Sequence, residues 1–291
     1  MGILSNKDLV QYEEDGYLII REAFSPERVK ALRMAVIAMI DRGIAGECEV
    51  KWIDRDKRLP ARTEHMLHPD KYEPAWAEWL AEDLVCYIES LVDGPARHSL
   101  FGMLAGGGGQ SYRQAWHRDI GKPGAEDEMD FLARFHGHFV QFNAPLVAGD
   151  RFLQIVPSSH LRVSTDSELW TAQAGAAAET EDMPDAMVVE LEPGDIVFYN
   201  ANLWHRGYNP EGKKRWTLHC AFWKRDYTVM SHEYGQRAAL MADGHIERMP
   251  EKTAEYVRRY LAKYPDENPP SLLDLSGYGT QTCGSALSSI C

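Results

Sequence analysis

The sequence predicts a mainly β fold with flanking helices (α+β), of the sandwich or jelly-roll kind. Three observations carry this. Between Ser99 and Trp223 the chain breaks into short β-rich runs: Ser99–Leu104, His138–Ala144, Phe152–Val156, Met187–Leu191, Ile196–Tyr199 and Arg215–Trp223. Turn signals separate them at Gly106–Gly109, Ala148–Asp150, Glu192–Asp195 and Asn209–Gly212. On either side the apolar residues recur at steps of three and four, the helical period. Many short strands with turns of this kind favour a sandwich or roll.

The elements follow in order. Ser5, with Asp8 three residues on, opens a helix over 5–16 that Gly16 ends. Tyr17–Ile20 is an apolar strand. Ser25 caps a second helix, with Pro26 in the first turn, where its missing N–H costs nothing. Leu32, Met34, Val36, Ile37 and Ile40 are the expected apolar side of that helix, and Gly43 its expected end. Residues 44–72 read as polar loops with one strand near Val50–Ile53; Trp52 there is either a lid or a plain surface residue. Residues 74–93 form a helix with Trp76, Leu80, Leu84, Ile88 and Leu91 facing inward and Trp79 also in its core. Past the strands, the Ala- and acid-rich segment 172–185 is expected on the surface, and helices return at about 231–242 and 250–263. The expected organisation is one unit over 1–265: a helical N-terminal region over 1–95, a jelly-roll core over 98–224 and C-terminal helices over 228–264. A Pro-, Gly- and Ser-rich tail, 266–291, is expected to be partly disordered.

Charge and composition narrow the function classes. With 31 basic and 44 acidic residues the formal net charge is −13, which argues against a nucleic-acid or anionic-membrane partner. No apolar run approaches the ~20 residues that span a bilayer. The N-terminus lacks the basic and apolar regions of a signal peptide, and Asn6 stands where a myristoylation pattern wants Ser or Thr. The five cysteines are scattered without a Cys-x-x-Cys pair, so reduced thiols and a cytoplasmic location are expected. The apolar helix faces pack equally well within one chain or between two, so no oligomeric state is read from them.

The chemistry concentrates in two stretches. In Trp116-His117-Arg118-Asp119, His117 and Asp119 point to one side of an extended chain, where both can grip one metal ion. Further on, Glu192–Asp195 turns into an apolar strand that delivers His205, and Pro210 and Gly212 then shape a turn. The expected hairpin sets Arg215 level with His205. Two imidazoles and one carboxylate on one face of a metal leave open positions, an arrangement that favours non-haem Fe(II) and oxygen chemistry. An Arg beside them would grip a carboxylate with a two-pronged fork.

These pieces, in this order, resemble the phytanoyl-CoA dioxygenase (PhyH) family of Fe(II)/2-oxoglutarate-dependent oxygenases. Tyr12–Ile20 followed by Phe24–Val29 is similar to the family's opening, and Leu153–His160 to its Pro-Gly-Ser-His strand, with Ser158 in place of the Gly. The resemblance spans about residues 8–223. It implies a double-stranded β-helix (cupin-like) core. It also implies a small-molecule substrate oxidised with O2 while 2-oxoglutarate is decarboxylated to succinate and CO2. His117, Asp119 and His205 match the iron ligands, and Arg215 the residue that binds the distal carboxylate of 2-oxoglutarate. Related halogenases replace the carboxylate with a small residue, so Asp119 favours hydroxylation. Many relatives carry Ser or Thr two residues after the distal His; this chain has Gly207.

Further candidates come from strand alternation. Gln141 and Asn143 share one face of Phe139–Asn143, and a polar face inside a barrel is expected only where something polar binds. Thr217 and His219 share a face with Arg215 and are expected to point inward, with Gln141, Asn143 and Thr217 expected to line the co-substrate site beside Arg215. Trp116, Trp204 and Arg113 are additional candidates, and Arg62, Arg113 and Arg118 hint at an anionic substrate. His160 is expected to serve the turn after Pro157. His136-Gly137-His138 is a second possible metal pair, which would suit a cupin indifferent to 2-oxoglutarate. A non-catalytic cupin-like metal- or ligand-binding protein is the remaining alternative.

Overall fold

The computed structural model describes residues 4–173 and 181–271. Much of the Ala-rich excursion, most of the C-terminal tail and Cys283 and Cys291 lie outside them. The N-terminal elements are α1 (Asn6–Asp15), β1 (Tyr17–Ile20) and α2 (Pro26–Ala45). Next come β2 (Lys51–Trp52), β3 (Pro60–Thr63), α3 (Pro74–Glu78), a π-helical turn Trp79–Leu84 and α4 (Val85–Leu91). The chain continues through β4 (Ala96–Gly106), β5 (Tyr112–Arg113), α5 (Glu128–Phe135), β6 (Phe139–Pro145), β7 (Asp150–Val156) and α6 (Asp166–Thr171). Then follow β8 (Met187–Leu191), β9 (Ile196–Tyr199), β10 (Trp204–Asn209), β11 (Arg215–Lys224), α7 (Arg237–Leu240) and α8 (Glu251–Ala262).

The strands form two sheets. One has seven strands in the order β1-β9-β6-β11-β4-β3-β2, and the other four, β5-β10-β7-β8. Every pairing between these strands is antiparallel. On the outer face of the large sheet Val140, Phe142, Ala144, Leu218, Cys220 and Phe222 pack against the helices in one apolar cluster. On its inner face, β6 and β11 run from apolar to polar. Phe139 meets Trp223 at 4.6 Å between ring centres; beyond them stand Gln141 and Asn143 on β6 and His219, Thr217 and Arg215 on β11. Leu153, Ile155, Val189, Leu191, Val197 and Leu203 fill another region of the space between the sheets. The expected alternation of Phe139–Asn143 is therefore present, and the mainly antiparallel fold with flanking helices is the one expected.

The caps hold as expected. Ser5 and Asp8 close a reciprocal capping box, and Gly16 ends α1 in the left-handed conformation at φ +78°. Ser25 caps α2 with Pro26 behind it. Gly43, however, does not end α2: the helix runs to Ala45 and Gly46 caps it. Gly43 instead lets a neighbour approach, for a Cβ there would stand 2.6 Å from Val50 Cγ2. The buried face of α2 is Val29, Leu32, Ala35, Val36 and Met39, whereas Met34 and Ile37 are exposed. Trp52 lies on edge strand β2 with its ring against Gly43, so it is packed on α2 rather than poised as a lid.

The hairpin expected between His205 and Arg215 does not form. β10 pairs with β5 and β7, and β11 with β4 and β6, so the Asn209–Gly212 turn carries the chain from one sheet to the other. The Gly106–Gly109 run makes the same crossing between β4 and β5. The two crossings touch: Gly109 N donates to Gly212 O at 3.1 Å, and a Cβ on Gly212 would lie 2.2 Å from the Gly109 carbonyl carbon. The local turn geometry suits a hairpin, but burying both strand faces between two sheets outweighs it.

Cys48 and Cys220 are unbridged thiols. Among the described residues no helix is long and apolar enough to cross a membrane.

Candidate metal centre

His205 sits on β10, and its backbone exchanges two 3.0 Å hydrogen bonds with His117. Asp119 N donates to Ala201 O at 2.9 Å, which ties the loop to the turn ahead of β10. These bonds bring His117, Asp119 and His205 together with ligand atoms all within 4.8 Å of one another. The Asp119 carboxylate lies 3.3 Å from His117 Nε2 and 3.6 Å from His205 Nε2. Each imidazole is held in the same way. His117 Nδ1 donates to Ala115 O and His205 Nδ1 to Leu203 O, both at 2.8 Å. With Nδ1 so engaged, both Nε2 atoms face the shared space and the Asp119 carboxylate, where a metal would replace the proton they share with it, and metal-binding histidines are commonly oriented by such a bond. The Gln141 amide donates to Asp119 Oδ2 and orients the carboxylate. Burial opposes ionisation of Asp119, but the His205 and His117 rings hold its carboxyl well below the usual range. Two nitrogens and a carboxylate converging from one side fit a divalent first-row metal with open positions opposite.

Arg215 is buried on β11. Its Nε donates to Thr217 Oγ1 at 3.0 Å, the Thr217 hydroxyl donates to Asp150 Oδ2, and Asp150 stands 3.9 Å from Arg215 Nε. The guanidinium carbon lies 5.4 Å from the centre of the Phe152 ring. Among the described residues no partner meets its two terminal amines, so the fork is open to a ligand. Thr217 thus spends its hydroxyl on aiming Arg215. Asn143 lies on the same face, its Oδ1 accepting from His219 Nδ1 at 2.8 Å. Burial pushes the His219 imidazole down to about 3, with Arg62 adding to the effect, so the ring is neutral.

Other expected residues lie elsewhere. Arg118, between two of the three clustered residues, faces away; it donates to the carbonyls of Ser159 and Asn202 and stacks 5.0 Å from Trp204. Trp116 packs with Trp204, Val156 and Met183 in a separate apolar cluster, and Arg113 is exposed on β5. His136 pairs with Glu13, while the His138 ring lies tilted against Tyr227 at 5.1 Å, so the two do not converge on one point. His160 Nε2 donates to Glu13 O at 3.1 Å beside Ser158, which adopts the left-handed conformation at φ +59° that a Gly would take freely. Three neighbours of the centre are not marked by any motif in the sequence: Asp150, Tyr199, whose ring lies 5.5 Å from His205, and Gln114. Gln114 Nε2 stands 3.2 Å from His117 Nε2, and its Oε1 accepts from Gly207 N at 3.1 Å.

The family model for phytanoyl-CoA dioxygenase (PhyH) matches residues 12–215. No curated protein matches the chain significantly. Among solved structures, AviO1 from Streptomyces viridochromogenes Tue57 shares 19% identity over 77% of this chain and 96% of its own, with a TM-score of 0.56. EctD from S. alaskensis, solved with 2-oxoglutarate and 5-hydroxyectoine, shares 14% over 78% of each chain, with a TM-score of 0.58. SnoK, a non-haem alpha-ketoglutarate-dependent carbocyclase from nogalamycin biosynthesis, shares 18% over 85% of this chain and 91% of its own, with a TM-score of 0.55. At these identities the structures establish a shared fold, and the family match over most of the chain establishes descent: the chain belongs to the phytanoyl-CoA dioxygenase family of Fe(II)/2-oxoglutarate-dependent oxygenases.

Proposed function

We propose that the protein hydroxylates an unactivated C–H bond of a small organic molecule, with His117, Asp119 and His205 holding Fe(II) and Arg215 gripping the distal carboxylate of 2-oxoglutarate. The observation that carries this is the convergence of two Nδ1-anchored imidazoles and an ionised Asp119 beside a buried Arg whose fork is open. Bound iron and 2-oxoglutarate supply the oxidation of the substrate by O2, with succinate and CO2 as co-products. The chain's own residues set the stage. Gln141 keeps Asp119 turned toward the metal. Thr217 and Asp150 hold Arg215 by its Nε, which leaves its terminal amines for the distal carboxylate. Asp119 occupies the coordination position that a small residue would leave to halide, and this favours hydroxylation.

The substrate end has one further cation. Arg62 lies on the row Arg62–Leu104–Thr217 and, with His219, Leu100 and Gly102, bounds a small cavity. Its Nε pairs with Glu64 at 2.9 Å. An anionic group on the substrate suits this position.

An anaerobic absorbance titration of metal-free protein with Fe(II) and then 2-oxoglutarate tests the reading. A weak visible charge-transfer band should need both additions, vanish in His205→Ala and weaken in Arg215→Ala. Folded, metal-loaded protein without such a band would return the chain to the non-catalytic or 2-oxoglutarate-independent cupin reading.

A further inference from the structure

His219 is held at one nitrogen and open at the other. It lies on the inner face of β11, opposite Gly102 on β4 and Asn143 on β6. Its Nδ1 donates to Asn143 Oδ1 at 2.8 Å, which turns that edge of the ring toward β6. Among the described residues no partner meets Nε2, on the other edge. Burial and the charge of Arg62 keep the imidazole neutral. With its proton on Nδ1, the ring offers a lone pair at Nε2. That lone pair borders a notch in the inner face. Gly102 has no side chain, and the space beside it is bounded by Arg62, His65, Leu100, Leu104 and His219. Its volume is about 20 Å³, the room of one water-sized group. A whole carboxylate or phosphate does not fit it.

Arg62 supplies the other half. Glu64 takes its Nε, and its terminal amines meet no partner among the described residues. A group in the notch is therefore offered a donor by Arg62 and an acceptor by His219. A hydroxyl satisfies both at once, having one proton to give and lone pairs to receive. An ammonium accepts nothing from Arg62, and a methyl group leaves both sides unpaired, which is costly away from water. We propose that the notch is a specificity subsite of the substrate, that it takes an alcohol hydroxyl, and that His219 is the residue that reads it. The anionic group that suits Arg62 then stays at the mouth, on the amine that the hydroxyl leaves free. Asn143, which holds His219, and Gln141, which holds Asp119, stand two residues apart on one face of β6, a spacing of about 7 Å. The oxidised carbon thus lies within a few bonds of the hydroxyl. That the ligand is a substrate rests on the iron and 2-oxoglutarate reading above; the chemistry of the notch does not.

The probes are 2-hydroxyethanesulfonate and ethanesulfonate, which differ by one hydroxyl and are both poor metal ligands. Protein carrying isotope-labelled histidine, loaded with Zn(II) in place of iron and with 2-oxoglutarate, is titrated with each and followed by NMR. The His219 Nε2 resonance is identified by its loss in His219→Phe, and binding to the variants is read from His65 on the notch wall. The hydroxylated sulfonate should move the His219 resonance and bind about tenfold more tightly than its partner. In His219→Phe, checked for folding by its thermal melt, the two should bind within about twofold of each other. In Arg62→Gln both should weaken about threefold or more, which keeps the test alive if the Phe variant does not fold. Equal binding of the two probes to wild-type protein would overturn the inference. So would a His219 resonance that neither probe moves, or a preference that survives in His219→Phe. The anaerobic Fe(II) titration is run beside it. A missing charge-transfer band with the preference intact would remove the iron reading and leave a hydroxyl-binding notch, whereas a band without the preference would overturn this inference alone.

Discussion

Thr217→Val isolates the device that aims Arg215. The Thr217 hydroxyl accepts from Arg215 Nε at 3.0 Å and donates to Asp150, and all three side chains are buried. Val fills nearly the same volume, so the change removes one hydroxyl without opening a cavity. Asp150 is left with Phe152 N at 3.3 Å and with Arg215 Nε 3.9 Å away. A hydrogen bond to a buried charged group is worth about 1.5–3 kcal/mol. Some of that returns if the guanidinium slides onto Asp150, but the slide draws its fork toward β7 and away from the chamber. A net stability loss of about 1–2 kcal/mol follows, together with a rise of about tenfold in the 2-oxoglutarate Kd, which is ~1.4 kcal/mol. In a chain of this size the melting midpoint should fall by roughly 2–4 °C per kcal/mol. Fe(II) affinity should not move, because Thr217 touches none of the three clustered residues. Thr217→Ser should behave as wild type. The assay is anaerobic titration of each variant with Fe(II) and then 2-oxoglutarate, beside a thermal melt. A lower melting point with an unchanged Kd would refute the aiming role and leave Thr217 as a buried polar group only.

Gln141→Ala removes the amide that orients Asp119, and metal affinity should fall about 10- to 100-fold in a chelator competition, with the melting point little changed. Burial pushes His98 and His160 from the ordinary 6.5 down to about 4, so both are neutral in the folded chain near pH 5.5 while the unfolded chain takes up protons. Stability should therefore drop as pH falls below the ordinary value, by about 1.4 kcal/mol per histidine between roughly pH 7.5 and 5.5. A flat urea midpoint over that range would contradict the assignment. Gly212→Ala places a Cβ 2.2 Å from the Gly109 carbonyl carbon at a φ of +60°, and should cost about 2–3 kcal/mol in denaturant unfolding. For any substrate found by succinate release, Arg62→Gln should raise KM about tenfold if the substrate is anionic and leave the KM of its neutral ester unchanged; equal effects on both would remove Arg62 from substrate binding.

What the sequence discloses depends on how local the cause is. Capping boxes and strand alternation are decided within a few residues, so α1, the start of α2 and the two faces of β6 are all legible. Alternation extended to the arginines would correct the reading of Arg118 as a hint of an anionic substrate. Arg118 stands between His117 and Asp119 and Arg206 follows His205, and both face away from the cluster. Both are buried there, binding carbonyl oxygens. The pairing of β10 and β11 is not legible, because the Asn209–Gly212 turn is compatible with a hairpin and only the two-sheet packing decides otherwise. Asn209 illustrates this, bracketing Lys213 with two side-chain bonds while the strands on either side diverge. Gln114 is hidden for another reason: residues 114–116 leave the strand, so no period relates Gln114 to His117, and only the bond to Gly207 reveals where its amide points.

The charges of the chamber explain why metal and co-substrate belong together. Asp119 and Asp150 contribute two negative charges to the inner face and Arg215 one positive charge, while Arg62 and Glu64 offset each other. Fe(II) alone would add two positive charges to a partly desolvated space, and 2-oxoglutarate alone two negative ones; either is costly when unpaired. Together they leave the net charge of the chamber unchanged. His219, held neutral by burial and by Arg62, adds no charge of its own. Each ligand should therefore strengthen the other's binding by the same factor, as linkage requires. That coupling should shrink in Arg215→Ala, where the distal carboxylate has lost its counter-charge. It should persist in Arg62→Gln, whose lost charge lies at the substrate end and is already shared with Glu64.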